Sequence, residues 1–361
     1  MKARTALLLV VLAAAVLAAG LYFGTGNREQ VASIPQSQFA FPNLAQRLQD
    51  AGRIEVLHHG TTLVLTRSGN VWTLPARSGY PADQGKVHAL TAQLTELKLD
   101  EPRTSNADDY ARLGVEDAQG KDADSTLIRI LDGAGAPLAE VIAGHQRTGN
   151  HGGGDGTYLR RSGESQTWLA AGRLSASTEA MDWIDPIIAD VPPPDVTSVA
   201  VTRAGLTMNI ARQDGHMVMT APAEHPKLDQ FKLEDMARGL ERLTLTDVKP
   251  APAPGKPLGV AVVSLKSGMS VTVDVSLDGS DTWLTLPSAQ GEGAAALMAR
   301  TKGWAYRVGE WKQQALVPSM DELKAYQPAP GEAGKTPDPA AVPLNGIPGL
   351  SIVPPTPKSG G

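Results

Sequence analysis

The sequence predicts an α+β protein built from two tandem duplicated units, each an antiparallel β-meander with a packed amphipathic helix and further antiparallel strands. Two observations carry this prediction: short strand-like runs separated by glycine turns, and similarity of the chain to itself at a nearly constant offset. With 361 residues and 42% hydrophobic content, the chain is long enough to bury two modest cores.

The internal similarity consists of two blocks. The segment IEVLHHGTTLVLTRSGNVW from Ile54 aligns with VAVTRAGLTMNIARQDGHMV from Val199, at an offset of 145 residues. The segment DQGKVHALTAQLTELKL from Asp83 aligns with DQFKLEDMARGLERLTL from Asp229, at an offset of 146. Two separated blocks rarely share an offset by chance, so the sequence indicates an internal duplication.

The first block predicts a meander of three strands that turns near Gly60 and Gly69. The second block predicts an amphipathic helix, because its apolar residues are spaced by three, four and three positions and form one stripe. The stripe and its counterpart in the second unit pair Val87 with Leu233, Leu90 with Met236, Leu94 with Leu240, and Leu97 with Leu243.

Hairpins are predicted next, with turns at Asp132 to Gly135 and at Lys266 to Gly268. Further strands are TYLRRSG and QTWLAA in the first unit, and TWLTL and WAYRVG in the second. A helix closes each unit, SASTEAMDWI with Ser175 or Ser177 as N-cap and SMDELKAY with Ser319 as N-cap. The loop PAPAPGKP from Pro250 replaces the longer DEPRTSNADDYARLGVEDAQGKDAD of the first unit.

The domain organisation follows from these elements and from proline-rich stretches. Residues 327–361 hold nine of the 27 prolines with almost no periodic apolar signal, which is typical of a disordered tail. The predicted segments are an N-terminal membrane anchor or signal (1–27), a linker (28–51), the first repeat (52–190), a Pro-rich linker (191–196), the second repeat (197–326) and the Pro/Gly-rich tail (327–361).

The N-terminus indicates an envelope location. Lys2 and Arg4 precede an uncharged run over residues 5–24, which as a helix would be about 30 Å long and could span a bilayer. Tyr22 and Phe23 suit an interfacial aromatic belt, although Ala18 and Gly20 also permit a cleaved signal, and a buried helix is a third alternative. We expect a single-pass protein of the bacterial inner membrane, with the bulk of the chain in the periplasm.

Composition excludes several classes of function. The chain has no cysteine, so it forms no disulfide, thiolate nucleophile or zinc site with sulfur ligands. The net charge is −5 with interspersed signs, which gives no basic field for nucleic acid.

The glycine-rich stretch HGGGDG, residues 151–156, is predicted to be a mobile hairpin connection. A phosphate loop would open a helix and carry a following Lys-Ser or Lys-Thr pair, and a calcium repeat would recur, but this stretch does neither. Ser165 lacks the second glycine of a nucleophile elbow.

Other polar and aromatic candidates are assigned structural roles. His58 and His59 should point to opposite faces of a strand, and Asp108 and Asp109 should start a helix rather than bind calcium.

Arg147, Arg160 and Arg161 could pair with an acidic partner, but at least one of them should be solvated. The sequence therefore predicts no catalytic, cofactor-binding or metal-binding residues. The tryptophans are predicted to lie in the core, and they are Trp72, Trp168, Trp183, Trp283, Trp304 and Trp311.

The chain resembles the bacterial family called domain of unknown function 4340. The resemblance rests on the N-terminal segment and on VWTLPARSGYPADQGKVHALTAQLTELKL, ADDYARLGVED, LAEVIAGHQ and TYLRRSGESQTWLAAGRLSASTEAMDWID. It covers residues 54–185 and continues in degenerate form to about residue 326, although the second unit lacks a clear ADDYARLG equivalent. The resemblance implies an anchored envelope protein, often associated with auxiliary parts of gliding-type ABC transport systems, and supplies no catalytic residues.

These observations favour a non-enzymatic, membrane-anchored periplasmic protein, an accessory or scaffold component of an envelope complex with ABC transporter subunits among its expected partners. The alternative is a periplasmic binding module that takes a small molecule or glycan in the cleft between the units. A hydrolase is the least favoured, because the polar residues never gather into a triad, a carboxylate pair or a metal set.

Overall fold

The structure is a computed structural model that describes residues 38–149 and 154–326. The described residues form two antiparallel sheets with a few helices, so the α+β fold class is confirmed. The anchor or signal predicted at 1–27, the tail predicted at 327–361 and His151 lie outside the described residues. In the part that is described, no helix is long and apolar enough to cross a bilayer.

The first sheet has ten strands, and every neighbouring pair is antiparallel. Their order across the sheet is β1-β6-β10-β9-β8-β7-β2-β3-β4-β5. The strands are β1 (Gln38–Phe39), β2 (Ala51–His58), β3 (Thr61–Ser68), β4 (Val71–Leu74), β5 (Tyr80–Pro81), β6 (Lys98–Pro102), β7 (Thr126–Asp132), β8 (Pro137–Arg147), β9 (Gly156–Arg161) and β10 (Thr167–Ala171).

The second sheet has nine strands, again all antiparallel, in the order β11-β15-β19-β18-β17-β16-β12-β13-β14. The strands are β11 (Ile187–Ala189), β12 (Val196–Arg203), β13 (Leu206–Gln213), β14 (His216–Ala221), β15 (Leu243–Pro250), β16 (Lys256–Leu265), β17 (Ser270–Asp278), β18 (Asp281–Gln290) and β19 (Trp304–Val308).

The two sheets share one connectivity. The run β6-β10-β9-β8-β7-β2-β3-β4 of the first sheet corresponds, strand for strand in chain order, to β15-β19-β18-β17-β16-β12-β13-β14 of the second. In each sheet a three-stranded meander occupies one side, and the strand after the helix lies beyond the last strand of the unit.

The meander turns form where the sequence places glycine. His59 and Gly60 connect β2 to β3 with φ values of 47° and 71°, and Ala204 and Gly205 connect β12 to β13 with φ values of 51° and 80°. Two successive residues with positive φ give a two-residue hairpin turn whose twist matches the strands, and glycine adopts this conformation without steric cost. The predicted meander is therefore confirmed in both units.

The helices of the structure are short. Apart from the helix at residues 84–96, none in the described part of the chain exceeds eight residues, and short helical turns lie within residues 38–50, before the first unit, and within residues 107–113. The helices are α1 (Leu44–Arg47), α2 (Gln84–Glu96), α3 (Tyr110–Leu113), α4 (Gln230–Met236), α5 (Ala294–Thr301), α6 (Trp311–Leu316) and α7 (Met320–Leu323).

The predicted helix α2 is confirmed, and its counterpart α4 is shorter than predicted. The Asp83 side chain caps α2 by accepting hydrogen bonds from the backbone of Gly85 and Lys86. Helix α4 ends at Met236, and the chain continues in tight i→i+3 turns. Gly239 in these turns packs where a Cβ would lie 2.7 Å from Leu316 of α6. All eight residues of the two predicted stripes are nevertheless buried.

The closing helices differ from each other. Ser319 caps α7 through a capping box with Glu322, as its position in the sequence predicts. The predicted helix SASTEAMDWI is instead a single 3₁₀ turn, Ala180–Trp183, and just before it the Ser177 hydroxyl accepts a hydrogen bond from the Glu179 backbone. The helix prediction there is wrong because the segment is held by local serine contacts and leads directly into β11. The sequence patterns do not predict helices α5 and α6.

Candidate functional site

The two sheets differ in how the face that points away from the main core is covered. Residues paired directly across antiparallel strands point to the same face of a sheet. One row of such pairs crosses the first sheet through Leu57, Leu127, Ile142, Arg160 and Thr167. The corresponding row of the second sheet contains Thr202, Val260, Asp274, Thr285 and Ala305.

The row in the first sheet is covered by residues 103–125, hereafter the covering segment. Val115 and Ala118 of this segment form a small apolar cluster with Leu57, Leu127 and Ile142 of the row. The contact is close at Gly144 of β8, where a Cβ would lie 2.3 Å and 2.6 Å from two backbone oxygens of the covering segment. Only glycine permits this approach, so the sequence of β8 is adapted to the covering segment.

Arg160 holds the covering segment by polar contacts. Its Nε donates to the Val115 carbonyl at 3.0 Å, and its Nη2 lies 2.6 Å from the Asp117 carboxylate. The guanidinium also stacks 4.7 Å above the Tyr110 ring, and Arg160 as a whole is only 7% exposed. Arg161 pairs with Glu164 at 3.0 Å. Both arginines therefore have internal structural partners.

Substituting Arg160 by methionine is expected to loosen the covering segment, because the change removes charge-assisted hydrogen bonds to Val115 and Asp117. We expect trypsin to cleave after Arg112 and Lys121 several times faster in Arg160→Met than in the unchanged protein. Arg173→Met, which removes an arginine from an exposed ion pair with Asp155, is the matched control. Equal cleavage rates in both variants would show that Arg160 does not hold the segment.

In the part of the chain that the structure describes, the corresponding row of the second sheet is left open. It forms the floor of a cavity of about 650 Å³, which Thr202, Val260, Asp274 and Thr285 all line. The connection between β15 and β16 is only residues 251–255, too short to cover the row as the covering segment does in the first unit. This is the loop predicted from PAPAPGKP, and its loop character is confirmed.

The proline loop forms one fixed wall of the cavity. The Ala251 backbone donates to the Gly303 carbonyl at 2.9 Å, and the Ser276 hydroxyl donates to the Pro254 carbonyl at 2.8 Å. Gly255 has a φ of +83° and packs where a Cβ would lie 2.0 Å from the Leu277 carbonyl oxygen. The loop is thus fastened at both ends, and the cavity wall is preformed.

Asp274 is the acidic side chain among the residues that line this cavity. In the described part of the chain it has neither an ion pair nor a side-chain hydrogen bond, and burial raises its pKa above the ordinary aspartate value. Lys302 lies at the exposed rim, and Leu258, Pro287 and Trp304 supply apolar wall. Chemically the cavity is an apolar recess with one carboxylate on its floor.

A smaller cavity of about 320 Å³ lies between the two units. Tyr80 of the first unit contacts the edges of Trp304 and Tyr306 of the second, at ring-centroid distances of 4.8 Å and 6.3 Å. Burial raises the pKa of both tyrosines, so both hydroxyls stay protonated at neutral pH and can act only as hydrogen-bonding groups. Arg300, which also lines this cavity, donates a hydrogen bond to the Ile188 carbonyl at 3.2 Å.

The structure corrects the geometry predicted for the two adjacent histidines. Their ring centroids are 3.8 Å apart, because His59 lies in the turn with positive φ rather than in the strand. The Nδ1 atoms of His58 and His59 lie 2.9 Å and 3.0 Å from the carbonyls of Ser125 and Lys121, and thus also bind the covering segment. Among the described residues, no group of three or more histidine or acidic side chains is arranged to hold a metal ion.

The remaining predicted residues lie in structural positions. Asp108 and Asp109 belong to a 3₁₀ turn that precedes α3, and the Asn106 side chain caps this turn. Ser165 follows the β9 end, where its carbonyl accepts from the Tyr110 hydroxyl. Five tryptophans are buried or pack on the core, whereas Trp311 is 55% exposed and the core prediction is wrong for it.

The part of the glycine-rich stretch that the structure describes connects β8 to β9, both of which were predicted. Asp155 accepts a hydrogen bond from the Gly149 backbone at 3.1 Å and one from Arg173 at 2.9 Å. These two contacts, the backbone bond first, lower the pKa of Asp155 below the ordinary aspartate value. Asp155 thus ties the two ends of the connection together.

Comparison with known proteins gives one match. The family model described as domain of unknown function (DUF4340) matches residues 72–262, which span most of the first unit and extend through the meander and helix of the second. No curated protein and no solved structure matches the chain.

Proposed function

The chain belongs to the family described as domain of unknown function (DUF4340), and we propose that it is a non-enzymatic scaffold or accessory component of an envelope complex. The proposed partners are envelope proteins, among them ABC transporter subunits. The supporting observation is the difference between the two sheets: the first covers its outward face with its own chain, whereas the second leaves a preformed cavity on the matching face. An open face of this kind suits contact with another molecule.

We also propose that the two units arose by tandem duplication. The offset between the aligned blocks, the shared strand order and the burial of all eight stripe residues support this. A duplicated unit frees one copy to change its surface, because the other copy can keep the original packing. The open row of the second unit and the covered row of the first fit such a history.

Membrane anchoring through residues 1–27 is part of the proposal, and it rests on Lys2, Arg4 and the uncharged run over residues 5–24. A reporter that is active only outside the cytoplasm, fused after residue 330, is expected to give signal. The intact mass is expected to include Met1 or to begin at Lys2. A mass beginning near Gly20 would show a cleaved signal, and an inactive reporter would place the chain in the cytoplasm.

The scaffold role makes its own demand. Crosslinking followed by affinity purification from solubilised membranes is expected to recover envelope proteins with the chain, ABC transporter subunits among them. Recovery of the chain alone after efficient crosslinking would count against the scaffold role.

A second candidate is a periplasmic binding module for a small molecule or glycan. The cavity between the units favours it, because Tyr80, Trp304 and Tyr306 there supply aromatic surface and two hydroxyls. A ligand that binds the folded state raises the melting temperature. A melting shift with cell-envelope sugars that disappears in Tyr80→Ala would favour this candidate over the scaffold.

A further inference from the structure

The matched rows of the two sheets differ in chemistry as well as in cover. In the first sheet, Leu57, Leu127 and Ile142 form an apolar floor, and Arg160 supplies a cation that pairs with the covering segment. In the second sheet the residue paired between Val260 and Thr285 is Asp274, so this floor carries an anion instead. Strand for strand, Asp274 takes the place of Ile142 and Thr285 that of Arg160, so the second floor carries an anion one strand away from where the first carries a cation.

We propose that the cavity over the second row binds an apolar peptide segment of a partner protein, with a lysine or arginine of that segment paired to Asp274. This inference rests on the proposed function, since it names the surface by which the chain would hold a partner. It adds the kind of segment recognised and the residue that selects it.

A peptide is the occupant that the first unit itself demonstrates. There, the same place on the same sheet is filled by polypeptide, held by two small apolar side chains, a backbone carbonyl and one ion pair. The second unit offers the same types of contact without the segment: apolar wall from Leu258 and Trp304, and one charged side chain. Its volume of about 650 Å³ lies within the range of about 300–1,000 Å³ typical of ligand sites.

The lysine or arginine of the bound segment is inferred from Asp274, which is partly buried and has no ion pair in the described residues. A partly buried carboxylate without a partner is costly to desolvate, and pairing with a cation from the occupant would offset this cost. Lys302 lies at the rim of the cavity and forms no ion pair with Asp274. An acidic occupant would instead place like charges together in a desolvated space, which discriminates strongly against it.

The test uses the full-length protein and two defined peptides, acetyl-Val-Leu-Lys-Leu-Val-amide and the same peptide with glutamate in place of lysine. Calorimetric titration is expected to show about tenfold tighter binding of the lysine peptide, the discrimination that one favourable charge contact provides. Asp274→Asn should reduce this preference to about twofold or less. Asp278→Asn, an acidic residue at the exposed end of the same strand, should leave the preference unchanged.

Four results would overturn the proposal: binding of neither peptide, equal binding of both, an unchanged preference in Asp274→Asn, or binding of hexylamine as tight as that of the lysine peptide. The last result would make the cavity a small-amine site. Thr285→Trp, designed to fill the cavity, provides a second variant and should abolish binding of the lysine peptide while the melting temperature shows that the chain still folds.

The outcome is separable from that of the proposed function, because the titration requires neither a membrane nor a transporter. Failure of peptide binding together with recovery of crosslinked envelope proteins would overturn only the assignment of this cavity. Peptide binding together with a cytoplasmic reporter result would overturn the envelope location and leave the cavity assignment intact.

Discussion

Replacing Leu240 with aspartate is expected to lower the free energy of unfolding by about 4 kcal/mol or more, and Leu94→Asp by a similar amount. Each leucine is 1% exposed and packs in the continuous core. The substitution removes apolar contacts and forces a carboxylate into an apolar surrounding, two of the costliest changes a single mutation makes. Chemical denaturation followed by circular dichroism measures the difference.

Leu206→Asp is the control, since Leu206 is 41% exposed on the meander of the second unit and the same change should cost about 0.5 kcal/mol or less. A large loss at Leu94 with a small loss at Leu240 would contradict the structural equivalence of the two positions. It would also weaken the duplication proposal. The two positions already differ in backbone conformation, since Leu94 lies in helix α2 and Leu240 lies in the turn that follows α4.

Lys312→Met is the substitution with the second largest expected effect, about 3 kcal/mol. The Lys312 side chain is 2% exposed, and its Nζ donates to the carbonyls of Arg238, Gly239 and Glu241 in the turn that follows α4. Methionine fits a similar volume but leaves these buried carbonyls without their donor, at about 1–3 kcal/mol for each one left unpaired. Lys324→Met, at a half-exposed ion pair with Asp321, should change stability by about 0.5 kcal/mol or less.

The deficit of Lys312→Met should depend on pH. Burial lowers the pKa of Lys312 to about 8, against about 10.4 for lysine in an unfolded chain. Between these two values the unfolded chain holds more protons than the folded chain, so this lysine makes stability rise with pH in that window. The variant lacks the group, and its deficit relative to the unchanged protein should therefore be larger near pH 10 than near pH 7.5. An equal deficit at both values would contradict the lowered pKa.

Much of the local structure could be predicted from the sequence. Gly60 and Gly205 mark turns that require positive φ, and Asp83 and Ser319 cap helices within three residues of themselves. These features depend on residues close together in the chain, where spacing alone determines which backbone groups meet. Such patterns predict the meanders, the hairpins and helix α2, and they carry the family resemblance.

The sequence-based predictions are wrong where contacts between residues far apart in the chain determine the local structure. After α4 the chain continues in i→i+3 turns in which Gly239 packs against Leu316, and the two histidine rings meet because His59 is in a turn and contacts Lys121 of the covering segment. Neither contact leaves a periodic signal in the sequence. Helices α5 and α6 are too short to give a clear periodic signal in the sequence, and their apolar residues are buried through packing against the second sheet.

By itself, the sequence determined that the chain is α+β, and it predicted a repeated pattern in the two halves and a short proline loop where the first half has a long segment. Only the tertiary structure decided what this replacement does. Strand register brings Leu57, Ile142 and Arg160 under Val115, and brings Thr202 and Asp274 under open space. The physical reason is that a cavity is a property of surfaces joined by pairing between strands far apart in the chain, and no local run of residues encodes which face remains uncovered.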